Sequence, residues 1–354
     1  MWEKGEGQPT IPQLRKLGEV YKRPLAVFFL PVPPKDFDAQ REFRRLPGLL
    51  PRTETPELRQ ALRTALHRRE IALDLYHRLQ EDLPPMTATV HPREDEEVVA
   101  QRVRELLGVS WAKQLSWSGP YPALAGWRSA IERQGVLVFQ TSKVKVEEMR
   151  GISIPDGRLP VIVLNNADAP QGRIFTLLHE YIHILLHRGG HRTSTLEGRK
   201  LPEDQLLERV GNRFAAAVLM PKREFLAEAA HYPDAMRGDE AGLTRFGKRI
   251  KVSPESILRR LVALHRVSAS VYRLRRRGWQ ERSWYAPPPA GGGPPIEVKI
   301  ISTMGRPFTA LVLEGYQRGA VSSADVVDYL GVQLKHLGKI ASQLLPGPGM
   351  EAAA

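Results

Sequence analysis

The sequence predicts an α+β fold that is mainly helical, with a small β-sheet, a helical N-terminal region and a small C-terminal α/β module. Segments with apolar residues every three or four positions recur along the chain and are typical of amphipathic helices. Two short runs rich in β-branched residues, 136–139 and 159–165, predict strands. Two or three strands beside packed helices indicate an α+β core.

The composition predicts a globular protein with two or more domains. The chain has 354 residues, of which 42% are hydrophobic and 26% charged. It has no cysteine, which excludes disulfides, thiolate metal sites and cysteine nucleophiles, so any metal must be held by His, Asp or Glu. Without a long apolar run or a secretory signal, we expect a cytoplasmic protein that does not enter membranes. The formal net charge of +13 favours acidic partners, nucleic acid first.

Helices are predicted before the first strand. Thr10 is the expected N-cap of a first helix, which a group of prolines ends. Residues 55–81 form a long amphipathic helix in this prediction, and "EDEEVVAQRVRELLGV" forms another that stops near Gly108. A further helix, "ALAGWRSAIERQ", is closed by Gly135 and leads directly into the first strand.

The second strand is followed by two helices and, much later, by a linker. The apolar helix that contains "TLLHEYIHILLH" is expected to begin near Ile174. After a loop rich in Gly, Arg and His, "EDQLLERVGNRFAAAVLMP" predicts a helix ended by Pro221. Residues 286–296, "APPPAGGGPPI", are predicted to be a linker, because Pro and Gly at this density do not pack a core.

The apolar helix carries a candidate metal site. His179 and His183 lie on one helix face, about 6 Å apart along the axis, so both imidazoles can reach one ion. Glu180, next to the first histidine, is placed to act as a general base instead of a ligand. Two histidines do not complete a tetrahedral zinc site, so a third protein ligand is required.

Glu208 is the favoured third ligand. His187 continues the spacing of four, but three successive helical turns diverge too far to hold one ion, and a histidine six residues after the second is excluded because that position is Gly189. Glu208 precedes an alanine-rich face that can pack closely against the first helix. The expected metal is Zn²⁺, with Mn²⁺ as the alternative. A core helix with incidental polar residues is the competing interpretation, but buried His and Glu would then need other partners.

"GRIFTLLHEYIHILLH" followed by "LERVGNRFAAAVLMP" resembles the ImmA/IrrE family of HExxH metallopeptidases. The segments "WRSAIERQGVLVFQ", "EEMRGISI" and "PVIVLNN" stand upstream in the order that the family shows. The resemblance implies a zincin-like core and a zinc endopeptidase that cleaves a helix-turn-helix repressor, controlling a stress or mobile-element response. It also implies Glu208 as a ligand, with Gly211 in place of the family's usual residue before Asn212.

Two further segments resemble DNA-binding elements of this family. "WEKGEGQPTIPQLRKLGEVYKRPLAVFFL" resembles the last part of a lambda-repressor-type helix-turn-helix, whose recognition helix would precede Met1. Residues 245–277 resemble the helix-turn-helix-like segment after the catalytic helices, and hold eleven Lys or Arg against one acid, Glu255. We therefore expect weak, salt-sensitive DNA binding. A scaffold role for this segment, with its charges turned outward, is the alternative. The candidate nucleic-acid or partner contacts are Arg245, Lys248, Arg249, Lys251, Arg259 and Arg260.

These predictions combine into an organisation and two competing functions. The leading function is a zinc-dependent peptidase acting on a repressor; the alternative is a DNA-binding transcriptional regulator of the XRE family that uses the peptidase fold for sensing or scaffolding. The predicted organisation is a truncated helix-turn-helix remnant (1–34), a helical region (35–118), the metallopeptidase core (119–240), the basic helix-turn-helix-like segment (241–285), the linker (286–296) and a C-terminal module (297–354).

Overall fold

The computed structural model describes residues 8–31, 55–155, 157–191, 202–281 and 293–344. The predicted α+β class with mainly helical content is confirmed. The N-terminal half consists of α1 (Ile11–Tyr21), α2 (Pro56–Leu79), α3 (Glu96–Leu107), α4 (Trp111–Ser116), α5 (Pro120–Glu132), β1 (Leu137–Thr141), β2 (Gly151–Ile154) and β3 (Val161–Asn165). The remainder consists of α6 (Pro170–Arg188), α7 (Pro202–Leu219), α8 (Lys222–Ala229), α9 (Pro233–Met236), α10 (Glu240–Ile250), α11 (Pro254–Ala263), α12 (Ala269–Glu281), α13 (Ile296–Met304), α14 (Arg306–Gln317), α15 (Ser323–Leu330) and α16 (Leu337–Leu344).

The three strands form one mixed sheet in the order β1-β3-β2. β1 runs parallel to β3, with Leu137 opposite Val161, and β2 runs antiparallel to β3, with Gly151 opposite Leu164. Strands β1 and β3 are the two that the sequence predicts. Neighbouring side chains of a strand point to opposite faces, so the sheet supplies apolar residues to two separate layers.

One face of the sheet packs against the helix that carries the HExxH motif. Side chains from β1, β3 and α6 share one buried cluster with α3, α5, α7, α10 and α11. This layer therefore holds the motif helix between the sheet and the following helices. The sheet and α6 residues of the cluster are Val138, Ile162, Leu164, Ile174, Leu177, Leu178, Tyr181, Ile182, Ile184, Leu185 and Leu186.

The opposite face of the sheet packs against α2 and the C-terminal helices. Leu137, Phe139 and Val163 belong to a second buried cluster with residues of α2, α13, α14 and α15. Phe139 meets Phe308 of α14 edge-to-face, with ring centroids 5.6 Å apart. The C-terminal helices thus cover sheet residues from the middle of the chain.

The C-terminal segment differs from its prediction. An α/β module was expected over 297–354, but its described residues are helical and contain no strand. The start of this segment alternates apolar and polar residues as a strand does, yet Ile296, Ile300 and Met304 also lie four residues apart. The chain follows the helical spacing, and α13 buries one side of the helix. Ile300 and Met304 are 7% and 6% exposed, whereas Val298 is 43% exposed.

Most predicted helix boundaries agree with the structure. Gly108 and Gly135 follow α3 and α5 with φ of +62° and +80°, a backbone conformation that glycine adopts at low cost. α1 ends earlier than expected, at Tyr21, because Lys22 takes a left-handed conformation. α6 begins earlier than expected, at Pro170, which suits the first turn of a helix.

Parts of the prediction fall outside the described residues. The loop between α6 and α7 is undescribed at 192–201, and the predicted linker is undescribed up to residue 292. The N-terminal remnant and the helical region stay predictions as units, since residues 1–7 and 32–54 are also undescribed. Within the described ranges, every helix is too short or too polar to span a bilayer.

Candidate metal centre

Two helices bring the three predicted ligands together. His179 and His183 project from α6, and Glu208 projects from α7. The two Nε2 atoms lie 3.2 Å apart, and His179 Nε2 lies 3.7 Å from Glu208 Oε2. One ligand atom from each residue lies within 4.8 Å of the other two. The spacing of four on α6 and the packing of α7 against it produce this convergence.

The donor set fits zinc. Ligand atoms about 2.0–2.1 Å from one zinc ion in a tetrahedron lie about 3.3 Å from each other. The separations of His179 Nε2 from His183 Nε2, 3.2 Å, and from Glu208 Oε2, 3.7 Å, are close to this value. His183 and Glu208 are each 6% exposed, so the carboxylate is held away from water beside two imidazoles. Phe175 lies one turn before His179, with the two ring planes 25° apart and their centroids 6.4 Å apart. Two histidines and one carboxylate are the protein ligands of a catalytic zinc site that keeps one position open.

Gly211 permits the close approach of α7 to the two imidazoles. A Cβ at this position would lie 2.5 Å from His183 Nε2 and 3.3 Å from His179 Cε1. The first distance is shorter than non-bonded atoms allow, so a larger residue would push the imidazole away. In the sequence, this glycine stands out only as a departure from the family's usual residue before Asn212. The structure makes it part of the wall of the candidate site.

Glu180 follows His179 on α6 and is bound by a residue of the sheet. It is 4% exposed, and its Oε2 accepts a 2.7 Å hydrogen bond from Ser153 Oγ. Ser153 lies on β2 and is 3% exposed, so the sheet positions the carboxylate. The sequence reasoning missed Ser153. Its buried position in the unpredicted strand β2, which packs against α6, is what brings it to Glu180.

Comparison with known families finds a match over the part of the chain that holds the candidate site. Residues 131–262 match the model of Peptidase_M78, described as the IrrE N-terminal-like domain. The chain contains an IrrE N-terminal-like domain. The match confirms the resemblance to the ImmA/IrrE family and covers the ligand candidates together with Glu180.

Other comparisons add little to the family match. No curated protein matches the chain. A Mycobacterium tuberculosis transcriptional regulator of known structure aligns with a TM-score of 0.34 and 18% identity, over 55% of this chain and 52% of that one. The chain thus spans about half the length of that regulator.

α10 and α11 fall in the segment that the sequence predicts to be helix-turn-helix-like. Ser253 caps α11 as predicted, accepting a hydrogen bond from the Ser256 N–H. Gly247 lies so close to the turn that a Cβ there would be 2.5 Å from the Val252 carbonyl oxygen. The tight turn fixes the angle between the two helices.

Two of the six predicted basic contacts are unavailable to a partner. Arg260 is 2% exposed and donates hydrogen bonds to Glu96, Glu97 and the Met220 carbonyl. Lys251 is 7% exposed, and its Nζ donates to the Leu115 carbonyl at 2.8 Å. Arg260 ties α11 to α3, and Lys251, which follows α10, ties the end of that helix to α4. Their assignment as nucleic-acid or partner contacts was therefore wrong.

Three other predicted contacts are exposed but pair with nearby acids. Arg245 lies 2.9 Å from Asp234, and Arg249 lies 2.9 Å from Glu228. Arg259 lies 3.6 Å from Glu255 and also donates to the Tyr272 hydroxyl. Lys248, the sixth, is exposed. Acids from α8, α9 and α11 thus offset much of the positive charge that the local sequence suggests.

Proposed function

We propose that this protein is a metal-dependent peptidase in which His179, His183 and Glu208 hold a divalent ion and Glu180 is the general base. The observation that carries the proposal is the convergence of three candidate ligand atoms within 4.8 Å, together with a second acid, Glu180, which is buried and accepts a hydrogen bond from Ser153. The IrrE N-terminal-like domain supports the same class.

The proposed mechanism divides the work between the ion and the chain. When bound, zinc supplies a Lewis acid that lowers the pKa of a water molecule to about 7 and polarises a peptide carbonyl. Glu180 accepts the proton of the attacking water on its carboxylate and later delivers it to the departing amine. Ser153 keeps that carboxylate oriented through its hydrogen bond to Oε2. Burial of both residues excludes bulk water, which would compete for the proton.

The proposed substrate is a helix-turn-helix repressor, as the family resemblance implies. Cleavage of such a repressor would release its target genes in response to stress or to a mobile element. The test is incubation of the purified 354-residue chain with a helix-turn-helix repressor from the same organism, beginning with any that is encoded beside its gene. We expect two fragments by mass spectrometry, loss of cleavage after EDTA treatment, and recovery on addition of Zn²⁺ or Mn²⁺. Undiminished cleavage by the metal-free chain would exclude the proposed mechanism.

The alternative proposal, a DNA-binding regulator, is favoured by one surface. Arg273, Arg276 and Arg277 are exposed on α12 at spacings of three and four, so they share one side of the helix. None of them forms an ion pair with another residue that the structure describes. This side of α12 is a better candidate for phosphate contacts than the paired residues of α10 and α11.

We expect only weak DNA binding that depends strongly on salt. A helix face of arginines contacts phosphates without reading bases, and each lost phosphate contact should reduce the salt slope by about 0.9. The measurement is fluorescence anisotropy with two unrelated duplexes over a salt series. Replacing Arg273, Arg276 and Arg277 by glutamine should flatten the slope. Arg245→Gln is the control, because Arg245 already pairs with an acid. Tight binding that distinguishes the duplexes at physiological salt would contradict this prediction.

A further inference from the structure

Gly151 on β2 lies very close to the motif helix α6. A Cβ at this position would be 2.4 Å from the Cγ2 methyl of Thr176 and 3.3 Å from Leu164 Cδ2. The backbone itself does not require glycine here, because Gly151 is not among the residues with a positive φ. Glycine is therefore needed at this position for the space between the strand and the helix, and not for a turn.

This close approach lies next to the hydrogen bond that holds Glu180. Gly151 and Ser153 are two residues apart on β2, so they point to the same face of the sheet. Thr176 and Glu180 are four residues apart on α6, so they lie on the same side of the helix. Two neighbouring contacts thus join one strand to one helix: Gly151 meets Thr176, and Ser153 Oγ donates to Glu180 Oε2 at 2.7 Å.

Neither side of the Gly151 contact has room for a larger residue. The sheet holds β2 in place, since Gly151 pairs with Leu164 of β3 and Ser153 pairs with Ile162. Thr176 is β-branched, so its methyl group has few positions on a helix. A distance of 2.4 Å is shorter than non-bonded carbon atoms allow, and an added Cβ would push α6 away from β2. The hydrogen bond from Ser153 to the helix would then lengthen.

We infer that Gly151 is a positioning residue for Glu180: by leaving room for Thr176, it brings α6 close enough to β2 for Ser153 to hold the carboxylate. The inference rests on the proposed function, in which Glu180 is the general base. Gly211 has the corresponding place beside the candidate ligands, because its missing Cβ leaves room for the imidazole of His183. The two glycines therefore serve different parts of the candidate site, Gly151 the base and Gly211 the ligands.

The first test compares Gly151→Ala with the wild type in the purified 354-residue chain. We expect kcat for repressor cleavage to fall about tenfold or more, because a small displacement of a catalytic group is costly, with little change in KM or in metal content. Gly211→Ala adds the same methyl group and is the matched comparison. It should weaken metal affinity, titrated against a chromogenic chelator, by about tenfold or more. Loss of metal from Gly151→Ala, or an unchanged kcat, would overturn the inference.

The second test is rescue by Thr176→Ser, which separates positioning from a general loss of packing. Serine lacks the Cγ2 methyl but keeps the hydroxyl, so adding Thr176→Ser to Gly151→Ala should recover most of the lost kcat and melting temperature. In a Ser153→Ala background, Gly151→Ala should lower kcat little further, since the hydrogen bond that it weakens is already absent. Failure of the rescue, or effects of Gly151→Ala and Ser153→Ala that simply multiply, would contradict the inference.

The melting temperature distinguishes failure of this inference from failure of the proposed function. The close approach predicts that Gly151→Ala lowers the melting temperature and that Thr176→Ser restores it, whether or not a substrate is cleaved. A melting temperature that Gly151→Ala leaves unchanged would overturn the inference and leave the proposed function standing. Intact rescue of the melting temperature in a chain whose wild type cleaves no repressor would overturn the proposed function instead, and with it the role of Gly151 in catalysis.

Discussion

Replacing Glu180 by glutamine should lower the rate of repressor cleavage by about 10²-fold or more while leaving the metal bound. The amide has the same size as the carboxylate, and its oxygen can still accept the hydrogen bond from Ser153. It cannot take a proton from water. The measurement pairs single-turnover cleavage with the metal content of the same preparation, so that loss of the base is separated from loss of the ion.

Ser153→Ala provides a graded comparison for the Glu180 variant. It removes the 2.7 Å hydrogen bond that orients the carboxylate but keeps the carboxylate itself. We expect a smaller fall in kcat than for Glu180→Gln, with little change in KM or in metal content. Cleavage by Glu180→Gln at the wild-type rate would exclude the proposed base, and loss of metal from it would make Glu180 a ligand instead.

Replacing His179 and His183 by alanine should abolish stoichiometric metal binding and, with it, cleavage. The double substitution removes two of the three candidate protein ligands. The one carboxylate that remains does not hold zinc against a competing chelator. Glu208→Gln should weaken metal affinity and activity together, because it replaces a charged ligand by a neutral one. Elemental analysis after gel filtration and titration against a chromogenic chelator measure this directly, independently of any substrate.

His187→Ala is the matched control for the histidine variants. His187 lies one turn further along α6 and does not belong to the group of converging ligands. Its replacement should leave close to one ion per chain. If the double variant of His179 and His183 retained a stoichiometric ion, the candidate metal centre would be wrongly placed, whatever the activity of the protein.

The positions of the candidate ligands could be predicted because they depend on local geometry. A spacing of four on one helix fixes the relative positions of His179 and His183 without any knowledge of the fold. Glu208 required one further assumption, that α7 packs against α6. The alanine-rich face of α7 supports that assumption in the sequence, since small residues allow close helix packing.

The features that could not be predicted depend on contacts between distant segments. Ser153 reaches Glu180 only because β2 joins the sheet, and its short strand carries no strong periodic signal. Arg260 follows Ile257 by three residues and therefore shares its buried side of α11. That spacing was a usable signal, but its partners Glu96 and Glu97 lie more than 160 positions away. A local sequence window contains neither acid.

Because α13 and α14 cover the sheet, proteolysis and truncation between residues 282 and 292 should have different results. The undescribed stretch 282–292 separates these helices from the rest of the chain, yet Phe308 lies against Phe139 of the sheet. A proteolytic nick in that stretch would leave two fragments associated through an apolar interface. A chain truncated there would instead present Phe139, Val163 and their neighbours to water, a surface that favours self-association. The C-terminal helices therefore keep the apolar face of the sheet away from water in the part of the chain that bears the IrrE N-terminal-like domain.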